Sequence, residues 1–178
     1  ITLTDPPFWR RRGPSDFLLP AWVEGLVRPG PDFAEYRRHQ VSPHLRSKLN
    51  KADRERYTIA VGAGEADLRM FYDAFLVPTA TLRHAQNAHI PPFETFAGQR
   101  DLELIFLVKD GRRVGGTALV RSRHESYLHV WRNGLAADIL ADPRRMNLAH
   151  VAMLSHVMRR ACEQGIERVS LGYTTPVL

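Results

Sequence analysis

The stretch from residue 102 to residue 178 constrains the fold more than any other part of the chain. Its apolar patterns predict strands at residues 102–108, 114–120, 126–132 and 166–171. The first of these is apolar on both faces, as in an interior strand. A long helix lies between the last two strands, and such a connection normally crosses over onto the same sheet, so these two strands should be parallel. The predicted fold is α/β, with a mixed, mostly antiparallel central sheet flanked by helices.

Local signals fix where these elements begin and end. Asp110-Gly111 predicts a tight hairpin turn, because both positions of such a turn need a positive φ. Asp142 and Pro143 form an N-cap and a first-turn proline for the long helix, and Gly165 ends its pattern. The third strand should carry Tyr127, His129 and Trp131 on one face.

Two further helices and a strand are predicted before residue 102. Ser42-Pro43 caps the first helix, and residues 57–61 form a short strand. Glu65 and Asp67 favour the start of the second helix, which should end or kink at Pro78.

The length of 178 residues, with 44% hydrophobic and 25% charged content, predicts one domain. Frequent prolines and glycines predict that residues 1–41 form an arm or loops in front of a domain at residues 42–178. The chain opens on Ile1 and stops just after the last predicted strand, which favours a domain truncated at its carboxyl terminus. No apolar run approaches the roughly 20 residues of a membrane span and no secretory leader is seen, so a soluble cytoplasmic protein is predicted.

Positive charge is concentrated in the first predicted helix. The chain has 25 Lys and Arg against 19 Asp and Glu, a net charge of +6. Arg46, Lys48 and Lys51 should lie on the outer face of that helix. Clustered cations attract polyanions, so these three residues are candidates for nucleic-acid binding. The alternative is an ordinary solvated helix face.

Four short motifs, in this order, resemble the Fem-type branch of the GNAT superfamily of acyltransferases. They are Arg46-Ser-Lys-Leu-Asn-Lys-Ala, Phe71-Tyr72-Asp-Ala-Phe, Phe106-Leu-Val-Lys-Asp-Gly-Arg-Arg-Val-Gly-Gly and Gly165-Ile-Glu-Arg-Val-Ser-Leu-Gly-Tyr. The resemblance covers roughly residues 42–175. It implies transfer of an acyl or aminoacyl group to an amine on a small molecule or peptide. The implied donor is an acyl-CoA or an aminoacyl-tRNA.

The chain departs from the CoA-using members of this superfamily after its third predicted strand. In those members an Arg/Gln-x-x-Gly-x-Gly/Ala loop follows the corresponding strand. The backbone N–H groups of this loop hold the pyrophosphate at the start of a helix. Residues 133–138 lack that glycine pattern. Arg144 and Arg145 in the first helical turn are the remaining candidates for binding an anionic donor, with Asp142 competing as the cap.

Aminolysis of an activated ester requires positioning, a donor for the developing oxyanion and sometimes a proton relay. His129, Tyr173 and Glu103 are the candidate catalytic residues. The candidate substrate-binding residues, at the point where GNAT sheets splay open, are Tyr127, Trp131, Arg132 and Asn133. Each of these side chains has an alternative, purely structural interpretation.

Other chemistries find little support in the sequence. The eight histidines show no metalloprotease spacing, and there is no P-loop and no Gly-x-Ser-x-Gly elbow, so no metal site is predicted. The alternative function is a non-catalytic GNAT-like module that binds nucleic acid or a partner protein through its basic helix.

Overall fold

A six-stranded sheet organises the computed structural model, which describes residues 23–85, 88, 90–122 and 126–174. Its strands are β1 (Val23–Val27), β2 (Thr58–Gly62), β3 (Leu102–Lys109), β4 (Arg112–Arg121), β5 (Tyr127–Leu135) and β6 (Arg168–Thr174). The strand order is β1-β6-β5-β4-β3-β2. Only the β5–β6 pair is parallel; the other four pairs are antiparallel. The predicted mixed, mostly antiparallel α/β sheet is confirmed.

Helices flank this sheet. They are α1 (Phe33–His39), α2 (Pro43–Arg54), α3 (Gly64–Phe71), α4 (Val77–His84), α5 (Phe93–Ala97), α6 (Ala137–Leu140) and α7 (Pro143–Glu163), and a π-helical segment (Tyr72–Leu76) joins α3 to α4. The predicted cap of α7 is confirmed, because the Asp142 carboxylate accepts the Arg144 N–H at 2.8 Å and the Arg145 N–H at 3.2 Å.

The β3–β4 hairpin turns as predicted. Asp110 has a φ of 50° and Gly111 a φ of 75°, the left-handed conformations that a two-residue turn of this kind requires. Strand β5 and helix α7 follow at the positions predicted for the ring-bearing strand and the long helix.

Apolar side chains bury both faces of the sheet. On one face, Leu119 of β4 and Leu128 of β5 pack with Val157 of α7. On the other face, Phe106 of β3 packs against Phe75 of the π-helical segment, with ring centroids 6.0 Å apart. Helix α7 therefore covers one side of the sheet and the α3–α4 segment covers the other.

Pro78 does not end the second predicted helix. The helical backbone continues through Pro78 to His84, with the π-helical segment just before the proline. The backbone of this segment packs against Gly134 of β5, where a Cβ would lie only 2.4 Å from the Phe75 carbonyl carbon. A glycine is thus required where the helix crosses the strand.

Two elements in the amino-terminal region were not predicted from the sequence. Strand β1 pairs antiparallel with β6 at the edge of the sheet. Helix α1 follows, with Asp32 as its N-cap, and it contacts α7. The predictions that fall on residues 1–22 lie outside the described residues. In the described part of the chain, no helix is long and apolar enough to cross a membrane.

Candidate active site

Strands β5 and β6 part soon after they meet. Their parallel ladder consists of three pairs, of which the last joins His129 to Ser170. Beyond it β5 runs on to Leu135, whereas β6 stays paired with β1. At the far end of β5 the Leu135 N–H donates to Thr79 Oγ1 of α4 at 2.8 Å, so a helix hydroxyl satisfies this edge of the strand. The parallel pairing of the two strands therefore ends at the His129–Ser170 pair, and we call the region between the strands beyond this pair the cleft.

A β-bulge distorts β5 at the start of this cleft. Ala118 pairs with Arg132 and Leu119 pairs with Val130, which leaves Trp131 as the extra residue. The Trp131 ring stacks on Phe96 at 5.4 Å. The Arg132 guanidinium lies 5.0 Å from the Trp131 ring centroid and donates to the Trp131 carbonyl at 3.0 Å. Trp131 and Arg132 thus form one side of the cleft mouth, and Asn133 follows them, half-buried.

A polar cluster lies beside the last β5–β6 pair. His129 Nδ1 is 2.9 Å from Ser170 Oγ, and Ser170 is fully buried. The Tyr127 hydroxyl donates to the Glu24 carboxylate of β1. The Tyr127 and His129 rings stack with centroids 6.4 Å apart. Leu128 and Val130 pack towards α7, so the alternating Tyr127 and His129 lie on the opposite face of the sheet.

The Glu24 carboxylate is held in its charged form. Burial acts to raise its pKa, but interactions with the Ser170 and Tyr127 hydroxyls, together with the positive charge of Arg168, outweigh that effect and lower the pKa below the ordinary value. An ionised carboxylate can only accept hydrogen bonds, so the Tyr127 hydroxyl is the donor to Glu24.

His129 is held in its neutral form. Burial lowers its pKa, Glu24 opposes that shift, and the nearby charge of Arg132 adds to it. A neutral imidazole can take a proton from a reacting amine, which a protonated one cannot do. His129 lies at the last paired position of β5 and β6.

The predicted residues are only partly brought together. Tyr127, His129, Trp131, Arg132 and Asn133 follow one another on β5 at the cleft. The backbone of Tyr173 lies in β6 opposite Glu24; its side chain lies outside what the structure describes.

Glu103 lies apart from this group. It belongs to β3, two strands from β5, and its carboxylate forms an ion pair with Arg160 of α7. Since α7 covers the face opposite to His129, Glu103 and His129 lie on different sides of the sheet. The ion pair favours a structural role for Glu103.

The start of α7 does not fit a pyrophosphate. The two N–H groups that would hold it, those of Arg144 and Arg145, already donate to the Asp142 carboxylate. A pyrophosphate there would also meet the charge of Asp142. The Arg145 side chain turns to Asp138, at 3.4 Å. This arrangement disfavours the predicted role of Arg144 and Arg145 at a CoA donor.

Basic residues from two predicted groups lie on two helices that pack together, α2 and α7. Helix α2 packs on α7, and the charges of Arg144 and Arg145 act on Glu55 at the end of α2. Lys51 is exposed and Lys48 half-buried, whereas Arg46 donates to the Arg38 carbonyl at 3.0 Å. We call the following residues the basic surface: Lys48, Lys51, Arg54, Arg56, Arg144 and Arg145.

Glu24 and Ser170 were missed by the sequence analysis. Glu24 precedes His129 by more than a hundred residues, and no motif links them. Ser170 did carry a signal, because it is a small polar residue inside an apolar predicted strand that should run parallel to the His129 strand. Within the described ranges, no three His, Cys, Asp or Glu side chains group in a way that would hold a metal ion.

A mostly antiparallel sheet with one parallel pair, joined by a crossover helix, is a GNAT-like arrangement. The chain belongs to the GNAT acetyltransferase domain family, whose model matches residues 38–175. A search of curated protein sequences gave no significant match.

Solved structures of the Fem-like branch share the fold. FemX superposes with a TM-score of 0.65 at 12% identity, over 92% of this chain and 56% of FemX. L-PGS from Bacillus licheniformis gives 0.58 at 14% identity, over 86% of this chain and 47% of that one. The carboxyl-terminal domain of a lysylphosphatidylglycerol synthetase from Agrobacterium fabrum gives 0.55 at 17%, with the same coverages. The chain thus spans about half the length of these structures, and the Fem-type resemblance is confirmed for the fold.

Proposed function

We propose that this domain transfers an aminoacyl group from an aminoacyl-tRNA to an amine on a small molecule or peptide. The observation that carries the proposal is the cluster of Glu24, Ser170 and His129 at the mouth of the β5–β6 cleft. General acyl transfer follows from the family; the donor, the acceptor and the residue roles are our proposal.

The chemistry needs one proton acceptor and a dry, positioned carbonyl. The acceptor amine attacks the ester carbonyl carbon, so a C–N bond forms and the C–O bond to the tRNA ribose breaks. The amine proton passes to His129, which returns it to the leaving ribose oxygen. Arg132, half-buried beside Trp131, is positioned to stabilise the negative charge that develops on the carbonyl oxygen.

Two features favour aminoacyl-tRNA over acyl-CoA as the donor. Asp142 occupies the amides that would hold a CoA pyrophosphate. The basic surface also suits a polyanion, because each phosphate it neutralises releases condensed counterions. A saturable rise in melting temperature with acetyl-CoA would contradict this choice, since only a ligand of the folded state gives such a rise.

The test is a transfer assay. Bulk tRNA charged with labelled amino acids is incubated with the protein and a panel of amine-bearing small molecules and peptides, with acetyl-CoA as the competing donor. We expect wild-type protein to move label from tRNA to an acceptor. His129→Gln should slow this step at least about 100-fold, the lower range for loss of a general base. His44→Gln, an exposed histidine of α2, is the control.

A non-catalytic nucleic-acid-binding module is the second candidate. It is favoured by the basic surface, in which Lys51, Arg54 and Arg144 are exposed and have no ion pair with another described residue. In that case the protein would bind both uncharged and charged tRNA, and no label would pass from the charged tRNA to an acceptor.

A further inference from the structure

A cavity of about 610 Å³ lies at the end of the β5–β6 pairing that is opposite to the cleft. The connection between β1 and α1 supplies Arg28 and Gly30 to its wall. The connection between α7 and β6 supplies Gly165 and Glu167, and Arg168 begins β6. A volume of this size is typical of a site for a small molecule.

Two arginines meet at this cavity. Val27 pairs with Val169, and the same register continued by one residue places Arg28 opposite Arg168. Side chains directly opposite each other on an antiparallel pair have their Cβ atoms about 5 Å apart, and like charges at such positions repel each other. An anion between the two guanidinium groups would replace this repulsion with attraction, because a guanidinium can donate two parallel hydrogen bonds to a carboxylate or a phosphate.

Arg28 is exposed at the cavity and is not occupied by a partner. Within the part of the chain that the structure describes, its guanidinium has neither an ion pair nor a hydrogen bond. Glu167 is the acidic residue among the described residues of the wall, and it forms no ion pair with Arg28. With two arginines and one glutamate, the wall carries an excess of positive charge.

Arg168 connects the cavity with the candidate active site. It lines the cavity, and its guanidinium carbon lies 5.9 Å from the centroid of the Tyr127 ring. The Tyr127 ring in turn stacks on His129. Along β6, Arg168 lies two residues before Ser170, the partner of His129 in the ladder, which corresponds to about 7 Å in a strand. A small molecule held in the cavity can therefore reach His129.

We propose that the cavity binds an anionic group of the acceptor, a carboxylate or a phosphate, through Arg28 and beside the charge of Arg168. This proposal rests on the proposed function, and it narrows the acceptor to an amine that also carries a negative charge.

The position of the cavity separates it from the basic surface. The cavity lies at the carboxyl end of α7, whereas Arg144 and Arg145 lie at the start of this helix. A helix of 21 residues is about 30 Å long. The donor tRNA and the anionic group of the acceptor therefore have separate binding regions in this proposal.

The binding test is an NMR titration of the backbone amides with inorganic phosphate and, separately, with acetate, at an ionic strength held constant with chloride. We expect saturable shifts of the Gly30 and Gly165 signals in the wild-type protein. Arg28→Gln should weaken this binding at least about tenfold, the lower range for loss of a hydrogen bond to a charged group. Arg28→Lys should retain part of it. Arg100→Gln, which removes an exposed arginine before β3, is the matched control.

The kinetic test uses pairs of acceptors in the transfer assay. Phosphoethanolamine is compared with ethanolamine, and glycylglycine with its amide, so that a phosphate and a carboxylate are each present or absent. For the charged acceptor that is used, Arg28→Gln should raise KM about tenfold and leave kcat within about twofold, because binding away from the reacting atoms is the same in the ground and transition states. The neutral acceptors should react equally well with wild-type protein and Arg28→Gln.

The proposal is overturned if neither anion shifts the two glycine signals, or if Arg28→Gln binds both anions as the wild type does. It is also overturned if Arg28→Gln changes KM equally for charged and neutral acceptors, or weakens tRNA binding alone. The NMR titration does not depend on turnover. Anion binding at the cavity of a protein that transfers no label would therefore refute the proposed function and leave the anion site standing.

Discussion

The two halves of the sheet are built differently. In the closed half, β3 pairs with β2 on one side and with β4 on the other, and the centre of this half is buried by Phe71, Phe75 and Phe96. In the open half, β5 and β6 share three residue pairs, and polar groups lie where they part. The closed half therefore supplies packing energy, whereas the open half gives up pairing where Glu24, His129 and Ser170 lie together.

The first prediction concerns stability and adds a methyl group to the closed half. A Cβ on Gly116 would lie 2.8 Å from the Ile105 carbonyl oxygen and 3.1 Å from the Phe71 ring. Gly116→Ala should therefore cost about 2 kcal/mol of unfolding free energy in urea titration. Gly25→Ala in the open half is the control, because its Cβ would meet Leu171 at an ordinary 3.6 Å. An equal loss of unfolding free energy at the two positions would show that the two halves do not differ in packing.

A second prediction separates binding from chemistry. Lys48→Gln with Lys51→Gln should weaken tRNA affinity about tenfold near physiological salt and reduce the slope of log affinity against log salt by about 2. The rate of transfer from bound donor should stay the same, because these residues lie on the α7 side of the sheet, away from His129. Arg100→Gln, an exposed arginine before β3, controls for net charge. An unchanged salt slope would show that Lys48 and Lys51 do not contact the phosphates of tRNA.

A third prediction concerns the start of α7. Asp142→Ala removes the acceptor for the Arg144 and Arg145 amides and should cost about 1 kcal/mol in the same titration. Asp142→Ser should be nearly neutral, because a serine hydroxyl can also cap these amides. If Asp142→Ala and Asp142→Ser were both as stable as the wild type, the Asp142 carboxylate would not be needed as the cap. The Arg144 and Arg145 amides could then bind a CoA pyrophosphate.

The smallest expected effect is a pH dependence shared by both halves. Burial lowers the pKa of His129 in the open half and of His156, whose ring lies 3.3 Å from the Tyr57 carbonyl, next to β2. A folded-state pKa below the ordinary 6.5 means that the unfolded chain binds protons first. The contribution of His129 and His156 to the free energy of unfolding is therefore complete above pH 6.5. It is lost as the pH falls through the folded-state pKa values of these two histidines.

Urea midpoints measured from about pH 8 to about pH 5 should show this loss. His129→Gln and His156→Gln should each flatten the profile. A profile that stays as steep in both variants would show that neither histidine is held neutral by the fold.

Local sequence signals predicted the closed half and the crossover well. The Asp110-Gly111 turn fixes the hairpin, and Asp142, Pro143 and Gly165 mark the ends of the long helix, because turn and cap chemistry acts over a few residues. The predicted end of the helix at Pro78 was wrong, because the helical backbone continues past the proline, after a π-helical segment.

The parts that were missed depend on contacts between distant residues. Strand β1 is short and contains Gly25, and only its pairing with β6 makes it a strand. His129 could be nominated from the aromatic face of its strand, but its partners Glu24 and Ser170 come from the edge pairing and the parallel crossover. Glu103 was nominated from its polarity alone; the position of α7 gives it Arg160 as a partner instead.

The most direct test of the central claim is amide hydrogen exchange with a donor analogue bound. The analogue is an aminoacyl-tRNA in which an amide replaces the reactive ester, so that it binds without turnover. The account predicts added protection in peptides that cover β5 and β6, around residues 127–135 and 168–172, with little change in β2 and β3. Protection confined to β2, β3 and the basic surface, with β5 and β6 unchanged, would contradict a transfer site in the open half.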